Sequence, residues 1–460
     1  DRLAMSIPEG EDFVLSFLGA VRAGIVPVPM YPPLALGKLD SYVDTAARIL
    51  DAAGAKMMVT TKQVAPVVWS LISRVDSMQD ILLVEKIREA DAPADDLSDV
   101  ELTGSDPCFL QFTSGSTSDP KGVIVTHGNL VANAHAIMYD GLNCDPDTDR
   151  GVSWLPLYHD MGLIGFVGAP LYAHVPVVFI PTLTFVKRPN SWMETITKYK
   201  GTITFAPNFA LGLASKRASA KRVAGFDLTA LRVVGCGAEP INAETMRTFN
   251  ETFAPAGFSP NALMPAYGMA EATLAISFDR LDRPFRSITI DREAYEAEHI
   301  AVPIEGEGIE LVSCGGTFPG HEVRVMNEQG GFAQAGQVGE LVMRGPSVTR
   351  GYFDNEDATT ALLKDDWLHT GDLGFVHDGE VYVSGRQKDL VILNGRNYYP
   401  QSIEWEIEQV KGVRRGNVVA FSVPGTSSEE LVVVAETKRQ DTGELQAEIK
   451  KAVHEGFGVR

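Results

Sequence analysis

The sequence predicts an α/β fold: a large N-terminal domain of stacked, mostly parallel α/β subdomains with a small β-barrel-like subdomain, then a small, truncated α+β C-terminal domain. Three observations carry this. Short β-branched runs alternate with helical patterns through most of the chain. From Val323 onward the strand-like runs crowd together and are joined by Gly-containing turns. From Gly395 onward a helix, two strands and a second helix follow in quick succession.

In order, Phe13, Phe17 and Val21 fall four apart and give Glu11 to Ala23 one apolar helical face. Buried strands are expected at Ile25–Pro29, Lys56–Thr60, Ile81–Val84, Phe109–Phe112, Val123–Val125, Pro176–Ile180 and Leu231–Val234. Helices are expected between several of them, as at Ser41–Ala53 and Asn129–Tyr139. Residues 85–106 are acidic and read as an exposed connection. Val323–Met326, Gly339–Arg344, Gly379–Val383 and Asp389–Leu393 read as antiparallel strands. Ser402–Gln409 and Glu444–His454 read as helices flanking strands Asn417–Ser422 and Leu431–Thr437. The expected division is 1–385 for the large domain, 323–385 being its β-rich part, and 386–460 for a small mobile one, with the border near Gly385 to Asp389.

The 460 residues carry 40 Lys plus Arg against 60 Asp plus Glu, a net charge of −20. That balance argues against nucleic acid as a partner, because nucleic acid is itself a polyanion. Cys108, Cys144, Cys236 and Cys314 show no C-x-x-C spacing and fit a reducing compartment. There is no long apolar run and no signal-like start, so a cytoplasmic location without a membrane span is expected.

The most informative stretch is Phe109-Leu-Gln-Phe-Thr-Ser-Gly-Ser-Thr-Ser-Asp-Pro-Lys-Gly122. A strand delivers a loop of small hydroxyl residues, Thr113, Ser114, Ser116 and Thr117, around Gly115, followed by Lys121. Gly115 permits close backbone approach, and free N–H groups and hydroxyls can donate to phosphate oxygens. Lys121 adds a mobile positive charge. Pro120 before the lysine and the absence of Ser or Thr after it exclude a Walker loop. Short Ser/Gly loops are common; the flanking strands and the lysine favour phosphate.

Further motifs follow in order: Val152-Ser-Trp-Leu-Pro-Leu-Tyr-His-Asp-Met-Gly-Leu-Ile-Gly165, Val234-Gly-Cys-Gly-Ala-Glu-Pro240, Pro265-Ala-Tyr-Gly-Met-Ala-Glu-Ala-Thr273, Trp367-Leu-His-Thr-Gly-Asp-Leu-Gly374 and Gly385-Arg-Gln-Lys-Asp389. With the phosphate loop, this set resembles the adenylate-forming superfamily of acyl-CoA synthetases, peptide-synthetase adenylation domains and luciferase-like enzymes. The resemblance implies roles. His159 sits beside the carboxylate pocket. Gly237, Ala238 and Glu239 pack on the adenine. Ala266, Tyr267, Gly268 and Met269 belong to the nucleotide site, with Tyr267 stacked near adenine. Glu271 and Thr117 hold Mg²⁺, Asp372 accepts from the ribose hydroxyls, Arg386 lies near the ribose and Lys388 is the hinge. ATP and Mg²⁺ are the implied cofactors.

Within the superfamily the chain looks most like the fatty acyl-AMP ligases. The wording of the histidine segment, the run Gly395-Arg-Asn-Tyr-Tyr-Pro-Gln-Ser-Ile-Glu404, and an insertion-like stretch between Ala275 and Leu311 carry that likeness. It implies activation of a fatty acid to an acyl-adenylate, then transfer to the phosphopantetheine of an acyl carrier protein, often feeding a polyketide or peptide synthase. It also implies poor use of free CoA, the insertion hindering domain rotation or the pantetheine path. A fatty acyl-CoA synthetase, a peptide-synthetase adenylation domain and a non-catalytic adenylate-binding domain are the competing readings. Apolar runs at Phe166–Ile180 and Thr204–Leu211 suit a lipid pocket but equally suit a core. Lys216, Arg217, Lys221 and Arg222, and separately Lys411, Arg414 and Arg415, are candidate carrier-docking clusters. No initiator Met opens the chain, and the superfamily's second lysine, in a G-K context, does not occur before Arg460. The sequence thus reads as an excised piece expected to keep part of its nucleotide binding.

Overall fold

The structure is a computed structural model, and it describes residues 1–8, 10–33, 39–90, 100–113, 120–393, 396–424, 429–457 and 459. A four-stranded parallel sheet runs Val26–Pro29, Arg2–Ser6, Met57–Thr60, Asp80–Leu83 in spatial order. Pro27 and Pro29 lack an N–H, and they lie on the edge strand, where a missing donor breaks no ladder. The Arg2–Ser6 strand is an addition to the expected elements; it is short and opens the chain without a flanking turn signal. Helix Leu39–Ala53 covers this sheet through Tyr42, Val43, Ala46, Ile49, Leu50 and Ala53, the i, i+3, i+4 spacing of one buried stripe.

A seven-stranded sheet follows, in the order Gly316–Thr317, Ala275–Phe278, Leu263–Gly268, Val233–Cys236, Ile203–Ala206, Gly151–Ser153, Val177–Phe179. The last five of these are mutually parallel, and Ala275–Phe278 runs antiparallel to both its neighbours. Helix Ala243–Phe253, capped by the Asn242 side chain accepting from the Thr245 N–H, packs Met246, Phe249 and Phe253 into its core. Trp154 stacks on Phe185 at 3.8 Å between ring centres in the same core.

The expected β-rich part is a five-stranded antiparallel sheet built from Glu322–Met326, Gly339–Arg344, Trp367–His377, Leu363–Lys364 and Glu380–Arg386. The α/β fold class holds, with two adjustments. The strands around the phosphate loop, Pro107–Thr113 and Lys121–Thr126, form an antiparallel hairpin rather than joining a parallel sheet. Within the expected acidic connection, Val84–Glu89 is a short helix, while 91–99 lie outside the described residues. The insertion-like stretch folds as a hairpin, Ser287–Ile290 with Ile309–Val312, carrying helix Arg292–Ala297. C-terminal to it come helix Pro400–Glu408, the hairpin Val413–Pro424 with Glu429–Thr437, and helix Thr442–Phe457.

All four cysteines are free and buried. Among the described residues no helix is long and apolar enough to cross a membrane.

Candidate functional site

Parallel strands expose their free ends on one side, and ligands of such sheets collect beyond the carboxyl ends. Two neighbouring strands end there with candidate residues. Val233–Cys236 runs into Gly237, Ala238 and Glu239, and Leu263–Gly268 carries Ala266, Tyr267 and Gly268. Two glycines permit the crowding. A Cβ on Gly237 would sit 2.7 Å from the Ala266 carbonyl oxygen, and one on Gly268 would sit 2.0 Å from that of Leu274. Ala238 adopts φ +67°, a costly conformation for a residue with a side chain. The Glu239 carboxylate accepts from the Phe209 N–H at 2.5 Å, tying this turn to the start of helix Asn208–Arg217.

The β-rich sheet supplies the opposite wall. Asp372 lies in strand Trp367–His377 and Arg386 ends strand Glu380–Arg386, and the two are paired in register. The Tyr267 hydroxyl donates to Asp372 Oδ2 at 2.7 Å, and Arg386 Nε lies 3.4 Å from Asp372 Oδ1. Burial pushes the Asp372 carboxyl above the usual carboxylate range, against the lowering pull of Tyr267 and Arg386. The charges of Glu271 and Lys388 also reach it. Lys388 itself lies in the short 3-10 turn Gln387–Asp389.

Glu271 is buried in the 3-10 turn Ala270–Ala272, which follows Met269 directly. Its Oε1 accepts from the Tyr352 hydroxyl at 2.7 Å, and its carbonyl accepts from the Thr349 N–H at 2.9 Å. The Lys121 ammonium lies 5.2 Å from the centre of the same Tyr352 ring. Burial raises the Tyr352 hydroxyl well above its ordinary value, so it stays a donor. Sequence reasoning missed Tyr352, because one tyrosine after Gly351 carries no motif to seize on.

The phosphate-loop residues Ser114, Gly115, Ser116 and Thr117 lie outside the described residues. Its stems are described: Thr113 pairs with Lys121 across the hairpin, and Gln111 Nε2 donates to the Tyr158 carbonyl, tying the hairpin to the histidine segment. His159 is exposed at the start of helix Asp160–Leu163, its Nδ1 2.6 Å from Asp160 Oδ1, and that carboxylate raises the imidazole above its ordinary value. Among the described residues no hydrogen bond or ion pair joins His159 to Glu271, Tyr267 or Asp372.

Just below the histidine segment, Met161, Gly165 and Phe166 line an apolar cavity of about 30 Å³, closed on its other sides by residues including Ile137, Phe205, Leu274 and Phe278. Two π-helices, Ala136–Gly141 and Ile164–Gly168, flank it. Of the two apolar runs read as pocket walls, Phe166, Pro170, Val175 and Phe205 reach this cavity, whereas Phe179 and Phe209 are exposed.

Among the described residues no three His, Cys, Asp or Glu groups gather to hold a metal. The set present, one buried carboxylate beside a phosphate-loop stem, fits a magnesium held mainly by phosphate oxygens and water.

The AMP-binding enzyme family matches residues 1–353. A protein named "Putative acyl-CoA synthetase" in Caulobacter vibrioides is 38% identical over 459 residues, spanning 98% of this chain and 79% of that protein. The long-chain-fatty-acid–AMP ligase FadD26 of Mycobacterium tuberculosis is 36% identical over 460 residues, spanning 96% and 77%. A solved structure among the fatty acyl-adenylate ligases from E. coli and L. pneumophila superposes with a TM-score of 0.94 at 35% identity, covering 100% of this chain and 82% of that one.

Proposed function

The chain belongs to the AMP-binding enzyme family, and from that membership we propose that it activates a fatty acid as its acyl-adenylate and hands the acyl group to the phosphopantetheine thiol of an acyl carrier protein. The carrying observation is the meeting of Tyr267–Asp372–Arg386 with Lys121–Tyr352–Glu271 beyond the carboxyl ends of the parallel strands. A fatty carboxylate oxygen attacks the α-phosphorus of ATP, the new acyl–O–P bond forms, and the bond to pyrophosphate breaks. Both reactants are anions, so catalysis consists of positioning and charge stabilisation. In this reading Asp372 accepts from the ribose hydroxyls, Arg386 stands beside them, and Gly237, Ala238 and Tyr267 receive the adenine. Thr113, Ser114, Gly115, Ser116, Thr117 and Lys121 cradle the phosphates. Glu271, with Thr117, would hold Mg²⁺, which when bound would offset charge on the phosphates. His159 faces the carboxylate, and the cavity under Met161 receives the acyl chain.

The insertion-like stretch supports carrier protein over free CoA as acceptor. Tyr295 of its helix packs on Tyr399 at 4.9 Å, and Arg292 stands over Phe457 at 4.7 Å, so the insertion grips the C-terminal elements that would have to turn. Arg283 and Arg286 bind it to Glu380 of the five-stranded sheet. For docking, Lys216, Arg217, Lys221 and Arg222 are exposed and make no ion pair among the described residues. In the other cluster, Arg414 is paired with Glu436 and Arg415 donates to Gln409. The first cluster therefore suits an acidic carrier better.

The test follows acyl-adenylate, acyl-CoA and acyl-loaded carrier by mass spectrometry with ATP and fatty acids of increasing length. Acyl-adenylate that moves to carrier but not to CoA establishes the reading. Efficient acyl-CoA formation establishes the second reading, which the Caulobacter relative's name favours.

A further inference from the structure

The turn that carries Glu271 is strained. Thr273, fully buried and β-branched, has φ 68° and ψ −64°, and the Leu274 N–H donates to the Ala272 carbonyl at 2.9 Å. This is a γ-turn of the rare positive-φ kind, which persists only where its surroundings impose it.

One segment does the imposing. Residues 346–353 run past the turn as a strap. The Thr273 hydroxyl donates to the Ser347 carbonyl at 2.6 Å, the Thr349 N–H donates to the Glu271 carbonyl, and the Tyr352 hydroxyl donates to Glu271 Oε1. The same strap grips the lysine strand. The Ile124 N–H donates to the Gly351 carbonyl, the Phe353 N–H donates to the Gly122 carbonyl, and Tyr352 bridges to Val123. Tyr352 thus holds a carboxylate by its hydroxyl and an ammonium by its ring face.

The strap is pinned by a buried polar network. His321 Nδ1 lies 3.1 Å from the Pro319 carbonyl, an acceptor only, so Nδ1 carries the proton and Nε2 accepts. The Ser347 hydroxyl therefore donates to Nε2 at 2.7 Å and accepts from Asn133 Nδ2 at 3.0 Å. Asn133 completes its pattern with the Ala275 N–H and carbonyl, two residues beyond the strained threonine. Asn129 Nδ2 donates to the Pro346 and Val348 carbonyls. Such a fully satisfied network rigidifies what it holds.

We propose that Tyr352 and Ser347 are positioning residues: the 346–353 strap sets the distance between the Glu271 carboxylate and the Lys121 ammonium before nucleotide arrives. This rests on the reading of Glu271 as the magnesium carboxylate. The experiment measures ATP binding by calorimetry at stepped Mg²⁺ concentrations, alongside the Mg²⁺ needed to half-activate pyrophosphate release. Tyr352→Phe removes one oxygen atom, and it should raise the Mg²⁺ requirement roughly tenfold in both measurements, as expected for a lost bond to a charged group. The KM for fatty acid should not move. Ser347→Ala should shift the requirement the same way by about threefold. Glu271→Gln is the reference. If it raises the Mg²⁺ requirement while Tyr352→Phe and Ser347→Ala do not, the strap has no positioning role and the reading of Glu271 stands. If Glu271→Gln itself leaves the requirement unchanged, that reading falls and the inference with it. A fatty-acid KM that rises in step with the Mg²⁺ requirement marks a general loss of structure and also overturns the proposal.

Discussion

The polar and apolar sides of the site are prepared to different degrees. On the polar side, Tyr267, Arg386 and Asp372 already touch, and Tyr352 already holds Glu271 and Lys121. On the apolar side, a cavity of about 30 Å³ lies among close-packed side chains, whereas pockets for drug-sized ligands run to several hundred Å³. Polar groups must be prearranged, since an unpaired buried charge is costly. Apolar side chains can close over empty space and reopen by rotamer changes, and the flanking π-helices are a register irregularity often found at functional sites. Nucleotide recognition should therefore be rigid, and chain recognition adaptive.

The largest expected effect is on the polar side. Glu271→Gln should lower acyl-adenylate formation on the order of 100-fold or more, as measured by pyrophosphate release at saturating fatty acid. On the apolar side, a side chain at Gly165 would project toward Leu274, whose Cδ2 lies 3.5 Å from where a Cβ on that glycine would stand. Gly165→Leu should cut kcat/KM for the longest acids by about tenfold, spare the shortest, and leave ATP affinity unchanged. A loss of ATP affinity equal to the loss of long acids would break the division between the two sides.

The raised Asp372 sharpens it further. With Asp372 as the proposed ribose acceptor, its protonation would remove that acceptor, so ATP affinity should fall as pH drops through a value raised above the ordinary carboxylate one. Asp372→Asn should bind ATP about 10- to 100-fold more weakly and lose that pH dependence in calorimetry. The smallest effect belongs outside both sides. Lys216→Glu with Arg217→Glu should slow acyl transfer to carrier several-fold at low salt, the difference fading as salt rises, with adenylate formation unaffected.

Legibility differed between these regions for a physical reason. The strands Gly339–Arg344 and Val26–Pro29 could be read because each is a short apolar run next to a turn, and the helix Leu39–Ala53 because its buried residues repeat at i, i+3, i+4 spacing. Tyr267, Glu271, Asp372 and Arg386 could be named because each sits in a short local motif. Tyr352 could not, since its partners lie 81 residues away at Glu271 and far upstream at Lys121. The pairing of Pro107–Thr113 with Lys121–Thr126 was likewise hidden, because a strand's composition does not state its neighbour's direction.

By itself, then, the sequence determined the α/β class, the family and the roster of candidate groups, because periodicity and short motifs are local properties of the chain. Only the tertiary structure decided which of those groups touch, how the γ-turn at Thr273 is held, and how the insertion meets Tyr399 and Phe457. Those contacts join residues distant along the chain, and they exist only once sheets and helices have packed.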